Sequence, residues 1–290
     1  MLPTFELFGQ TIHTGDIFLF LHYPGVPFIY LLLRKRYGFP VKKTLFYAFF
    51  TLFFGVGGAI VTSKVANYVL TVTSHGAFEP YETLNSYGIA MFLAVIYIFY
   101  CLLFRKPFQT LTDYAMPAVS FIHVLGKLVC VFNGCCYGPA SEHGLYFQNL
   151  GYKAVPVQLY DTINNAIIFV ILIVLTYTFS KKHKGYLYPI AGILYAIQKW
   201  VLEEFRVYEN PYEGNFLNTG WTFWQWFLVI LFVGSVIWLI GAILWEKKGK
   251  PDFDTAENIK LPDLSKIPEK IKARKQKNKR TYTHHNKKKK

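Results

Sequence analysis

Four ionisable side chains, Lys127, Lys199, Glu203 and Arg206, lie in or at the edge of apolar runs of about membrane-spanning length. A charge at the bilayer centre costs at least ~2.5 kcal/mol, so it faces a protein interior or a wet cavity with a partner and marks a candidate site. His123, Lys127 and Cys130 are spaced by four and three residues and share one face of a helix. Lys199, Glu203 and Arg206 repeat that spacing on a second helix. Pro156, Gln158, Tyr160 and Asp161 open a third segment, which continues with Asn164 and Asn165, and Thr222 and Gln225 open a fourth. All four groups fall at the same end of their segments. The arrangement predicts one hydrophilic pocket near one membrane surface, with cations that could hold an anion, carboxylates beside them and thiols at the rim.

Plainer readings exist for most of these residues. Lys199 and Glu203 are spaced as an ordinary helical ion pair. His123 could serve a neighbouring carbonyl, Cys130 could be a small apolar filler, and Asn164 and Asn165 could bond between helices. Cys135 and Cys136 are adjacent, a poor spacing for bridging each other. They read as a reactive relay, a redox switch, or small side chains that let the turn over 134–138 pack closely. No CxxC or Cys/His zinc spacing is present, so neither a metal nor a cofactor is expected.

The elements that must carry these groups follow from composition. Of 290 residues, 53% are hydrophobic and 19% aromatic, too many apolar runs for a soluble domain of this length. The reading is an all-α integral membrane protein with about seven transmembrane helices: Ile17–Leu33, Thr44–Val61, Tyr87–Phe104, Met116–Phe132, Ile163–Phe179, Tyr186–Leu202 and Phe223–Trp245. His22, Pro24 and Pro27 interrupt the first. No cleavable signal peptide is visible at the N-terminus. Lys and Arg gather after spans 1, 3, 5 and 7, which puts those loops and the C-terminus in the cytoplasm and the N-terminus outside. Residues 1–245 form the membrane domain, with the polar pocket near the outer leaflet. Residues 246–290 form a basic, disordered cytoplasmic tail. The tail holds 16 Lys or Arg and 6 Asp or Glu, a net of +10 within a chain total of +14. Anionic lipid suits such a tail. Nucleic acid is not an expected partner, because no aromatic interleaving accompanies the charge. There is no internal repeat, which disfavours transport.

GKLVCVFNGCCYG over 126–138, PVQLYD over 156–161 and LEEFR over 202–206 resemble the prolipoprotein diacylglyceryl transferase family. The likeness covers about residues 15–245 and is most specific over the first two motifs. It implies seven spans in a bacterial plasma membrane. The implied activity is transfer of a diacylglyceryl group from phosphatidylglycerol to the lipobox cysteine in the signal peptide of a preprolipoprotein. Cations must then bind the lipid phosphate and the leaving group, and something must favour the acceptor thiolate. The family reaction needs no thiol from the enzyme. Lys127, Lys199, Glu203 and His123 are the catalytic candidates under this resemblance. Tyr23, Tyr87, Cys130, Asn133, Gly138, Gln158, Tyr160, Asp161, Arg206 and Gln225 are the substrate-binding ones. The chain departs from the family pattern in several places. Lys127 and Lys199 stand where the family has arginine, and lysine lacks the bidentate fork. Cys130 replaces an asparagine, Cys135 a glutamate and Asp161 a glutamate, while Ser86-Tyr87-Gly88 replaces His-Gly-Gly. Two further readings stay open: a membrane enzyme acting on another phospholipid donor or acceptor, and a non-catalytic lipid-binding or thiol-sensing protein on the same scaffold.

Overall fold

A computed structural model describes residues 4–7, 10–80, 87–104, 106–180, 182–208 and 210–248. Two short strands, β1 (Thr4–Leu7) and β2 (Gln10–His13), pair antiparallel ahead of the helices. The first expected span is broken into α1 (Thr14–Phe20) and α2 (His22–Tyr37). Pro24 has no N–H to return to the preceding turn, so the ladder is interrupted where the prolines predict. α3 (Val41–Thr73) is longer than the apolar run that announces it. Its 33 residues reach ~50 Å, well beyond the ~30 Å hydrocarbon layer. No proline or glycine follows Gly58 until Gly76, whose φ of 87° ends the turn after the helix. The chain beyond the second expected span is therefore helical as far as Thr73.

α4 (Tyr87–Phe104) matches its expected bounds. α5 (Phe108–Asn133) begins eight residues before the expected start. Asp113 is polar for a span, but its carboxylate accepts the backbone N–H groups of Gly185 at 2.6 Å and Leu187 at 3.0 Å. It thereby satisfies donors at the start of α7 (Leu187–Glu203), which no residue of its own caps. α6 (Val157–Thr178) and α9 (Phe223–Lys247) complete the set. Six stretches among the described residues are long and apolar enough to cross a membrane, with α1 and α2 counted as one. α7 falls outside that group: it has 17 residues and carries Lys199 and Glu203, and it sits against α6 and α9. The connections after α5 and α7 hold more structure than a loop reading gives. A hairpin of β3 (Ala140–Phe147) and β4 (Tyr152–Ala154) lies between α5 and α6, and one turn, α8 (Pro211–Gly214), precedes α9.

α5 is the hub, packed on α1, α2, α4, α6 and α7. Buried hydroxyls fasten α2, α3 and α4 to one another and α5 to α2. Tyr30 and Thr51 lie 2.6 Å apart, Thr51 and Tyr97 lie 2.9 Å apart, and the Tyr114 hydroxyl donates to the Tyr30 carbonyl at 2.7 Å. Such bonds supply interhelical specificity where lipid removes the hydrophobic drive between helices. The two ends of the bundle differ. Near one end, Arg36 Nε donates to the Thr176 carbonyl and His183 reaches Glu246. Near the other, Phe18 stacks on Phe132, and the backbone of Val207 meets that of Tyr137. The polar residues singled out in the sequence gather toward the second end.

Candidate active site

Asp161 is the centre of the site. It sits on the first turns of α6, 3% exposed, and its Oδ2 lies 3.3 Å from Lys127 Nζ on α5. The same oxygen accepts from Lys199 Nζ on α7. Its other oxygen is held by Asn165 Nδ2 at 2.7 Å and approached by Gln198 Nε2 at 3.4 Å. Asn164 in turn bonds Gln198. A carboxylate with this many donors can stay ionised away from water and hold two lysines together.

A second group forms at the C-terminal end of α7. Glu203, 3% exposed, accepts from the hydroxyls of Tyr87 and Tyr208 and lies 3.5 Å from Arg206 Nη1. Lys199 therefore turns to Asp161 rather than to Glu203, and the helical pair that the spacing offered is not the contact that Lys199 makes. The Lys199 ammonium instead sits 4.9 Å from the centre of the Tyr87 ring. Tyr87 is stacked on Trp224, with centroids 4.8 Å apart. Arg206 lies over the Tyr208 ring and donates from Nη2 to Cys136 Sγ at 3.5 Å, while its Nε has no partner among the described residues.

A cavity of about 1770 Å³ opens beside these two groups. Lys127, Arg206 and Tyr208 line its polar part, with Glu213 and Glu79 also on the wall. Leu19, Tyr23, Phe53 and Val56 line another part and are themselves exposed, so the cavity opens between α1–α2 and α3 past apolar side chains. Its volume exceeds the ~300–1,000 Å³ usual for small-molecule sites.

Of the sequence candidates, Lys127, Tyr23, Tyr87, Cys130, Asn133 and Arg206 line this cavity. Lys199, Asp161 and Glu203 stand behind them as buried partners. Gly138 holds the turn after α5: its N–H donates to the Val155 carbonyl at 2.8 Å, and a Cβ there would meet the Phe205 carbonyl. Gln158 is buried, and neither amide atom has a partner among the described residues. Three candidates fall elsewhere. His123 bonds the Val119 carbonyl, meets the Tyr195 ring at a tilt and lines a separate small void, so it does not reach the large cavity that Lys127, four residues on, does line. Tyr160 is 47% exposed and away from the cavity wall. Gln225 forms a capping box with Thr222 at the start of α9, and its amide donates to Glu204. The sequence pattern does not single out Tyr208 or Glu213. Tyr208 follows Arg206 by two residues in a non-helical stretch, and no periodicity points to it.

The thiols come together as their spacing does not suggest. Cys130, Cys135 and Cys136 have sulfur atoms all within 4.8 Å of one another. Gly134, with φ of 67°, ends α5 in the left-handed region that only glycine enters freely, and Cys136 has φ of 61°. The chain thus folds back over the last turn of α5. The Cys130 and Cys135 thiols, with the Arg206 and Lys127 charges adding to them, hold the Cys136 thiol well below the ordinary thiol range despite burial.

The bundle and its buried ion pairs define a polytopic membrane protein with a charged cavity flanked by exposed apolar side chains. The sequence profile of the family described as prolipoprotein diacylglyceryl transferase matches residues 20–241, and the chain belongs to that family of transferases. Three curated relatives are each named phosphatidylglycerol–prolipoprotein diacylglyceryl transferase. The Helicobacter hepaticus protein is 22% identical over 70% of this chain and 76% of its own length. The Aliarcobacter butzleri protein is 30% identical over 51% and 60%. The Campylobacter curvus protein is 23% identical over 56% and 59%. The chain thus spans about three fifths of two of these relatives and three quarters of the other. It is a multi-pass bacterial membrane protein.

Proposed function

We propose that the chain transfers a diacylglyceryl group from phosphatidylglycerol to the lipobox cysteine of a bacterial preprolipoprotein at the plasma membrane. The observation that carries the reading is the cavity: open on its apolar flank toward lipid, it ends at Lys127 and Arg206. A phospholipid is apolar at its chains and anionic at its head, and the cavity wall changes character in the same sense. Lys127, Lys199, Arg206, Asp161 and Glu203 together carry one net positive charge, which suits one phosphodiester. Lys127 and Arg206 touch the phosphate in this reading. Lys199, Asp161 and Glu203 position them from behind.

The acceptor thiolate attacks the glyceryl carbon, the carbon–oxygen bond to phosphate breaks, and the oxygen leaves with the bonding pair as glycerol phosphate. The thiol proton passes to cavity water. The two cations meet charge that grows on the leaving phosphate, which is where preorganised donors accelerate a reaction most. The signal peptide approaches from the outer end of the bundle.

The decisive test is mass spectrometry of a lipobox peptide incubated with purified protein and phosphatidylglycerol. A gain of one diacylglyceryl group is expected. An unmodified peptide under conditions where a known member of the family works would sink the reading.

The outer position of the cavity rests on orientation. In a background without the native cysteines, Ala77→Cys and Thr219→Cys are expected to react with an impermeant thiol reagent in intact cells. Lys182→Cys is expected to react only after permeabilisation. The reverse pattern would place the cavity at the cytoplasmic face, where no exported signal peptide presents its lipobox.

The reaction as written uses no enzyme thiol. Cys135→Ser/Cys136→Ser is therefore expected to keep most of the transfer activity at normal membrane levels. Complete loss would show that an enzyme thiol takes part in the chemistry.

A further inference from the structure

The transfer reaction leaves the three-thiol cluster at the cavity rim without a role. Cys130 is fixed on the last turn of α5. The left-handed residues Gly134 and Cys136 turn the chain back, so that all three sulfur atoms lie within 4.8 Å of one another. All three residues line the cavity, and Cys135 is exposed. We infer that Cys130, Cys135 and Cys136 form a binding site for a thiophilic d10 cation, zinc or its close analogues, with its fourth position open to the cavity.

The geometry fits the ion. Zinc–sulfur bonds of ~2.3 Å set the sulfurs of a tetrahedral or trigonal site roughly 3.8–4.0 Å apart. Closing from the present separations takes about 1 Å at most, within reach of side-chain rotation. Donor type fits as well. Among the described residues no carboxylate or imidazole belongs to the cluster, so magnesium and calcium are poor occupants and a soft ion is favoured. The surroundings favour the charge. Three thiolates around a divalent ion carry one net negative charge. The Arg206 Nη2 lies 3.5 Å from Cys136 Sγ, and Lys127 lies one helical turn before Cys130. Three protein ligands leave a tetrahedral ion one vacant position, as in zinc sites that bind a further group rather than only brace a fold. The inference does not depend on the transferase reading, because its test reads metal and not turnover.

The test uses full-length protein in detergent, reduced without added thiol and titrated with cadmium as a spectroscopic stand-in for zinc. An ultraviolet thiolate-to-cadmium charge-transfer band is expected, saturating at one ion per chain and bleached by zinc. Single Cys→Ser changes at 130, 135 and 136 are expected to weaken binding by at least about a hundredfold, since even loss of a group that merely orients a ligand costs ~10–100-fold. Cys101→Ala is the control, because Cys101 is buried in the apolar core away from the cluster, and its affinity should be unchanged. Unfolding temperatures of the variants exclude loss of fold as the cause. No band in the reduced protein would overturn the site. So would a band that survives Cys136→Ser at full intensity. A disulfide between any two of the three, trapped by alkylation in isolated membranes, would also overturn it and assign the cluster to redox chemistry.

Discussion

Lys127→Ala is expected to lower transfer activity by about 10²–10³-fold, while Lys127→Arg keeps most of it. The size follows from the loss of one preorganised donor to developing charge, typically ~3–4 kcal/mol of barrier. The variant should still fold, and the reason is geometric. Lys127 shares Asp161 with Lys199, so removal of Lys127 leaves the carboxylate with one full cation, Asn165 and Gln198. The remaining ion pair is balanced, and no buried charge is stranded. Arginine at 127 restores the charge and adds a planar fork. The measurement is peptide lipidation per unit of membrane-inserted protein. A fully active Lys127→Ala would remove the phosphate role and leave Lys127 as a structural partner of Asp161.

The membrane character of the chain and most of its spans are legible in the sequence, because about twenty apolar residues in a row match the thickness of the hydrocarbon layer. Helix ends are less so. α3 runs on to Thr73 because nothing polar in Thr62–Thr73 breaks a helix, and hydropathy marks where lipid ends rather than where the ladder ends. α5 starts at Phe108, directly after Pro107, and the buried Asp113 that interrupts its apolar run answers backbone donors at residues far away in sequence, a demand invisible to any local pattern. The site shows the same division. Lys127, Asp161, Lys199, Glu203 and Arg206 stand out by type and depth. Their pairing does not: sequence shows the neighbour four residues along one helix, and the true partner of Lys199 is on another. His123 shares a helical repeat with Lys127, yet a face about one turn wide is enough to send it to Tyr195 instead of the cavity. The thiol cluster is hidden for a different reason. Cys130 and Cys136 are six residues apart, and only the left-handed turn at Gly134 and Cys136 closes the distance.

Asp161→Asn is expected to be the most damaging single change to the fold. Asparagine keeps the shape and two hydrogen-bonding atoms but removes the one charge that Lys127 and Lys199 share. Two ammonium groups, 6% and 3% exposed on neighbouring helices, then face each other without an anion. Breaking a buried ion pair from one side costs roughly 3–5 kcal/mol, most of it the penalty of the charge left behind. The expectation is a large drop in the unfolding temperature of the detergent-solubilised protein. The charge account makes a sharper claim about the double variant. Lys199→Met in the Asp161→Asn background removes the second, more deeply buried cation and leaves an apolar chain of similar length beside Tyr87 and Tyr195. Asp161→Asn/Lys199→Met should therefore be more stable than Asp161→Asn alone, a second mutation that repairs the first. If Asp161 mattered for its shape or for its bond to Asn165, the second change would add damage instead. A double variant less stable than the single one, or a single variant as stable as the parent, would show that the shared carboxylate is not what holds α5, α6 and α7 together.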